Sequence, residues 1–166
     1  MDILVNSKGK LFFNNKEYLC VLGKNGVTND KKEGDWATPV GCFSLREVFY
    51  RPDKIQRPKT KLPLSEIQKD DGWCDDVNLP QYNKKVKLPF NGSFENLWRD
   101  GDDLYDIVVV VGYNDDPAIP GKGSAIFIHV ARPALTPTAG CLAFTRENLL
   151  EILKDCSQNT KICIER

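Results

Sequence analysis

The sequence predicts a mainly β domain with one helix laid against it, and three observations carry that expectation. Short runs of branched and aromatic residues recur along the chain, separated by Gly, Pro, Asn and Asp clusters. DIVVVVGY (Asp106 to Tyr113) is a near-continuous valine run, the pattern of a strand buried on both faces. One stretch, TRENLLEILKDC (Thr145 to Cys156), has helical periodicity.

In chain order, DILVN, KLFFN and EYLCVLG read as strands separated by Ser7-Lys8-Gly9 and Asn14-Asn15, and the first two should form a hairpin. Gly23 to Gly41 is loop-like, with Gly26, Asn29, Asp30, Gly34 and Pro39 inside it. CFSLREVFYR (Cys42 to Arg51) alternates as a strand does. From Pro52 to about Phe94 the chain is polar and aperiodic, with Pro58, Pro63, Pro80 and Pro89, so an irregular insertion is expected over 52–94. Its aromatics Trp73, Tyr82, Phe90 and Phe94 should pack it onto the body. SAIFIHVA (Ser124 to Ala131) reads as a second buried strand. Period-two geometry puts Ala125, Phe127 and His129 on one face and Ile126, Ile128 and Val130 on the other. Arg132-Pro133 ends that strand. In the helix, Thr145 is the expected N-cap, Glu147 suits the first turn, and Leu149, Leu150, Ile152 and Leu153 form an apolar stripe. TKICIE closes the chain as a strand. No composition shift marks a boundary, so residues 1–166 read as a single domain.

Composition narrows the function classes. The 23 Lys and Arg residues match 23 Asp and Glu, so no basic field argues for nucleic acid. No stretch approaches the ~20 apolar residues of a membrane span. The opening MDILVNSKGKLFF lacks a basic leader followed by an apolar region, so no secretory signal is read there, and the compartment stays open. Six cysteines without a CxxC pair, beside a single histidine, do not support a structural zinc site. Mostly reduced thiols are expected, with Cys20, Cys156 and Cys163 as small core residues. Trp36, Trp73 and Trp98 read as core or loop anchors, the alternative being a glycan-binding groove.

HVARPALTPTAGC carries the chemistry. It holds the only histidine, His129, at a strand end, and twelve residues later Cys141 behind Gly140. A cysteine nucleophile needs a nearby base, because the thiolate reacts and a free thiol has a pKa of about 8.5. An imidazole accepts that proton near neutral pH, and a backbone carbonyl is enough to fix its tautomer. N–H groups around a Gly-Cys turn can receive an oxyanion. The eleven residues between the two side chains are enough for the loop to fold back.

At this segment the sequence resembles the L,D-transpeptidase catalytic domain, also called the YkuD domain, whose signature is a histidine, a variable loop, then [Ser/Thr]-His-Gly-Cys. His129 and Thr138-Ala139-Gly140-Cys141 stand at those positions, with Ala139 where the family usually has histidine. GDWATPVGCF resembles the family's Thr-Pro-x-Gly-x-Phe element through Thr38, Pro39, Gly41 and Phe43. The resemblance implies a β-sandwich or barrel-like fold with its principal helix after the cysteine. It implies acyl transfer on peptidoglycan stem peptides through a thioester on Cys141. In that scheme His129 is the base, the Val130 carbonyl orients it, and the N–H groups of Gly140 and Cys141 hold the oxyanion. Thr138, Ala139 and Arg132 would contact substrate. The resemblance implies no metal or organic cofactor and a cell-envelope location; a monomer with no nucleic-acid partner and no membrane insertion is expected. Asp75, Asp76, Asp115 and Asp116 lie outside the signature. They read as turn-capping residues or, alternatively, as groups that recognise a substrate amine or tether Arg132. Three other functions stay open: an L,D-carboxypeptidase with water as acceptor, a peptidoglycan-binding domain with a decayed site, and a redox or metal protein.

Overall fold

Alternation in the first residues produces a hairpin in the computed structural model, which describes residues 1–166. Strands β1 (Ile3–Val5) and β2 (Lys10–Phe13) pair antiparallel through Leu4–Phe12 and Val5–Leu11. Gly9 turns between them at φ +78°, where a Cβ would stand 2.5 Å from the Cys20 carbonyl oxygen. β3 (Lys16–Leu19) continues the meander. β4 (Val27–Thr28) and β5 (Thr38–Pro39) pair parallel within the loop-like segment. The ten-residue β6 (Gly41–Tyr50) follows.

Residues 52–94 correct one expectation. They hold β7 (Leu64–Glu66), which pairs with β6, then β8 (Asp71–Cys74) and β9 (Lys85–Lys87). With β10 (Phe94–Asn96) the last two form a separate sheet in the order β10-β8-β9. The sequence signal was weak because these strands are only three or four residues long, too short for a period to build up.

The apolar runs become β11 (Ile107–Val111) and β12 (Phe127–Val130), followed by β13 (Leu142–Phe144), α1 (Arg146–Leu153) and β14 (Lys161–Ile164). The large sheet runs β13-β12-β11-β6-β14-β1-β2-β3, with β7 attached to β6. Its two ends meet: just past β3, Val21 exchanges backbone hydrogen bonds of 2.8 and 2.9 Å with Ala143 of β13. The result is a nearly closed, mostly β barrel with one helix. The helix starts at Thr145, whose hydroxyl accepts the Asn148 N–H at 3.2 Å, and buries Leu149, Ile152 and Leu153.

β11 divides two apolar clusters. Ile107, Val109 and Val111 join Ile128, Val130, Leu142 and the helix leucines in the larger one. Val108 and Val110 face the other way, with Phe127, Ala125, Ile67, Trp73, Leu97 and Tyr105. The segment expected to be irregular therefore roofs the outer face of β11 and β12.

A second correction concerns the thiols. Register places Cys42 of β6 opposite Cys163 of β14, and the two are joined by a disulfide across 121 positions. Cys163 is thus not a free core thiol, whereas Cys20 and Cys156 are free and buried. Sequence spacing cannot show a pairing that exists only through strand register.

Candidate active site

His129 sits on β12, only 4% exposed, with Phe127 and Ala125 before it on the same face. Its Nδ1 lies 2.9 Å from the Val130 carbonyl. A carbonyl only accepts, so the proton belongs on Nδ1 and Nε2 keeps its lone pair. Nε2 has no protein partner, and the ring lines a cavity of about 440 Å³. Tyr105 packs edge-on against the imidazole at 5.5 Å between ring centres. Burial lowers the His129 pKa to about 4, and the Arg99 and Arg132 charges push the same way.

Cys141 immediately precedes β13, which runs parallel to β12 with His129 beside Ala143. Its sulfur packs against the outer cluster and lines the same cavity. The thiol donates to the Ala125 carbonyl at 3.1 Å, and the Phe127 N–H points at Sγ from 3.4 Å. Continuing that register, Cys141 aligns with Phe127, two positions before His129. No hydrogen bond joins Cys141 to His129. Burial pushes the Cys141 thiol up to about 12, with the Glu95 charge adding to it. The free site therefore holds a neutral thiol and a neutral imidazole.

The turn before the cysteine is fixed by backbone geometry. Gly140 has φ +135°, and a Cβ there would lie 2.8 Å from the Ala37 carbonyl oxygen. The Gly140 carbonyl accepts from the Thr38 hydroxyl at 2.9 Å, while that hydroxyl takes the Gly23 N–H at 2.9 Å. The Thr-Pro-x-Gly-x-Phe stretch thus braces the cysteine turn from below. Thr138 uses its hydroxyl inside the turn, accepting from Gly140 N at 3.1 Å and donating to the Cys141 carbonyl at 2.6 Å. The Gly140 N–H is therefore engaged, and the Cys141 N–H has no protein acceptor.

Of the residues singled out in the sequence, His129, Cys141, Arg132, Thr138 and Ala139 line the cavity. Val130 supplies its carbonyl while its side chain lies in the larger cluster. Asp75 reaches the cavity and accepts from the Ser93 hydroxyl at 2.6 Å. Asp76 caps the backbone N–H groups of Asn78 and Ser93. Asp115 grips Arg46 through two hydrogen bonds of 2.9 and 3.0 Å, so it does not tether Arg132. Trp36 lies at the cavity rim, Trp73 is in the outer cluster, and Trp98 lies under the Arg51 guanidinium at 3.5 Å. No group of three or more His, Cys, Asp or Glu is arranged to hold a metal ion.

A family model for the L,D-transpeptidase catalytic domain, YkuD, matches residues 2–164. The chain belongs to the YkuD family. No curated protein sequence matches it significantly. Among solved structures, it is similar to the helical cell shape determining protein Pgp2 from Campylobacter jejuni, at 14% identity and a TM-score of 0.46. A point mutant of that protein matches at 15% identity and 0.48. Each match covers 99% of this chain and 46% of the other, so the YkuD chain spans just under half the length of those relatives.

The YkuD cavity also contains groups that sequence reading passed over. Glu95 of β10 lines it and binds the Tyr105 hydroxyl. Glu33 accepts from Tyr82 at 2.7 Å and Ser124 at 2.5 Å. Asn83, buried in the small sheet's turn, accepts from Trp73 Nε1 and from the Ala125 N–H, both at 3.0 Å. Its amide donates to the Tyr113 and Asn114 carbonyls. It holds Ala125 at φ +53°, a left-handed conformation rare for alanine, with the carbonyl facing the thiol. These roles depend on contacts between distant segments and leave no local pattern.

Proposed function

We propose that this protein is an L,D-transpeptidase that acts on peptidoglycan stem peptides through a thioester on Cys141. One observation carries the reading: in a YkuD-family chain, the thiol and the lone pair of His129 open into one cavity. The cavity of about 440 Å³ is of the size that small ligands fill, and its lining includes Arg132, which forms no ion pair within the protein and suits a substrate carboxylate.

Rotation about χ1 takes Sγ from the Ala125 carbonyl toward His129 Nε2. As the thiol gives up its proton there, sulfur attacks the carbonyl of the third residue of a tetrapeptide stem. The free N–H of Cys141 receives the oxyanion, which leaves Gly140 the task of shaping the turn. His129 returns the proton to the departing D-alanine amine. Thr138 and Ala139 floor the cleft. The resting thiol at about 12 and imidazole at about 4 mean that proton transfer belongs to the complex with substrate, where sulfur, base and carbonyl meet. No step calls on a metal or organic cofactor. Residues 1–166 act as one catalytic domain and as a monomer. A cell-envelope location suits both the substrate and the Cys42–Cys163 disulfide, which persists in oxidising compartments.

Treatment with a carbapenem, read by intact mass, tests the assignment. One covalent adduct should form on Cys141 and vanish in Cys141→Ala. A folded wild-type protein that takes no adduct would refute it.

A further inference from the structure

The cavity holds acidic and basic groups that are unequally neutralised. Lys31 is paired with Asp35, and Arg99 is clasped by Asp102. By contrast, Glu33, Asp75 and Glu95 form hydrogen bonds only with hydroxyl groups and no ion pair with any lysine or arginine. Glu95 is half-buried on β10 and shares the cavity with Sγ. Its Oε1 meets the Tyr105 hydroxyl, while Oε2 has no partner. The groups facing it are Tyr105, Arg99, Asp75, Glu33 and Cys141. His129 is committed to the proton of Cys141. A second proton is unassigned, because an amine acceptor arrives as an ammonium ion and cannot attack a carbonyl until it loses one.

We propose that Glu95 is the catalytic base that deprotonates the incoming acceptor ammonium, and so makes the acyl-enzyme react with amines in preference to water. The inference rests on the acyl-enzyme reading above. The carboxylate of Glu95 takes one proton from R–NH3+. The freed lone pair forms the C–N bond at the thioester carbonyl, the C–S bond breaks, and its electrons remain on sulfur. The second nitrogen proton passes through His129 Nε2 to Sγ, which restores the thiol. Glu95 then releases its proton to solvent through the cavity mouth. Burial raises the Glu95 pKa, which narrows its gap from an ammonium and favours the transfer.

The test uses the whole chain, a tetrapeptide stem as donor, and two acceptors. Glycine is an ammonium ion at neutral pH, whereas hydroxylamine is largely uncharged and needs no deprotonation. In Glu95→Gln, whose amide oxygen still accepts from Tyr105, the ratio of glycine adduct to hydrolysed tripeptide should fall on the order of a hundredfold. The ratio for hydroxylamine should fall no more than about threefold, and raising the pH should recover glycine transfer. Glu95→Asp, which keeps a carboxyl, should restore most of it. A wild-type partition in Glu95→Gln, or equal losses with both acceptors, would overturn the proposal while the thioester on Cys141 stands. Failure of the wild type to form that thioester would instead remove the reading beneath it.

Discussion

β11 and β12 present two faces that are equally dry and chemically unlike. Toward the helix, Ile107, Val109, Val111, Ile128 and Val130 join the larger apolar cluster. Toward the small sheet, Val108, Val110 and Phe127 are as deeply buried, yet His129, Tyr105, Cys141 and Glu95 lie among them. On the inner face burial yields stability, about 1.5–3 kcal/mol for each large side chain. On the outer face the same dryness moves proton affinities: His129 goes down to about 4, Cys141 up to about 12, and Glu95 up. One pair of strands therefore supports the barrel with one surface and keeps the His129 imidazole and the Cys141 thiol uncharged with the other.

Substitutions on each face sharpen that contrast. The largest effect is expected from His129→Asn, whose amide can still donate to the Val130 carbonyl. Carbapenem adduct formation, followed by mass against time, should slow by about 10²–10⁴-fold. A slowing of less than about tenfold would break the assignment of the outer face to proton transfer. On the inner face, Leu142→Ala removes a fully buried side chain and should lower stability by about 2–5 kcal/mol in urea titration. Its folded fraction should still form the adduct within a few-fold of the wild-type rate.

The pH dependence of stability gives a third, smaller contrast. Unfolded histidine titrates near 6.5 and folded His129 near 4, so between these values the unfolded chain binds a proton that the folded one refuses. This contribution is complete above pH 6.5 and is lost as pH falls toward 4, by about 3 kcal/mol. Urea titrations at several pH values should show that slope in the wild type and a shallower one in His129→Asn. Parallel slopes would mean that His129 is not held neutral by burial.

The inner face was legible in the sequence and the outer one only in part. The valine run of β11, the alternation of β12 and the helix stripe are local patterns, and each lies where its period put it. His129 and Cys141 were legible as residue types with a plausible spacing, and they line the same cavity. Glu95, Tyr105 and Asn83 were not legible, because their roles come from a small sheet whose short strands carry no periodicity. Ala125 was expected inside the strand, but β12 starts only at Phe127: Ala125 turns left-handed at φ +53°, where its N–H donates to Asn83, forty-two positions away. The Cys42–Cys163 bond was hidden for the same reason: register, not spacing, brings the two sulfurs together.

Acid-quenched peptide mapping after incubation with a tetrapeptide stem tests the central claim most directly. A thioester-linked tripeptide should appear on the fragment containing Cys141, with D-alanine released in at least an equal amount. Release of D-alanine at the wild-type rate by Cys141→Ala would contradict it.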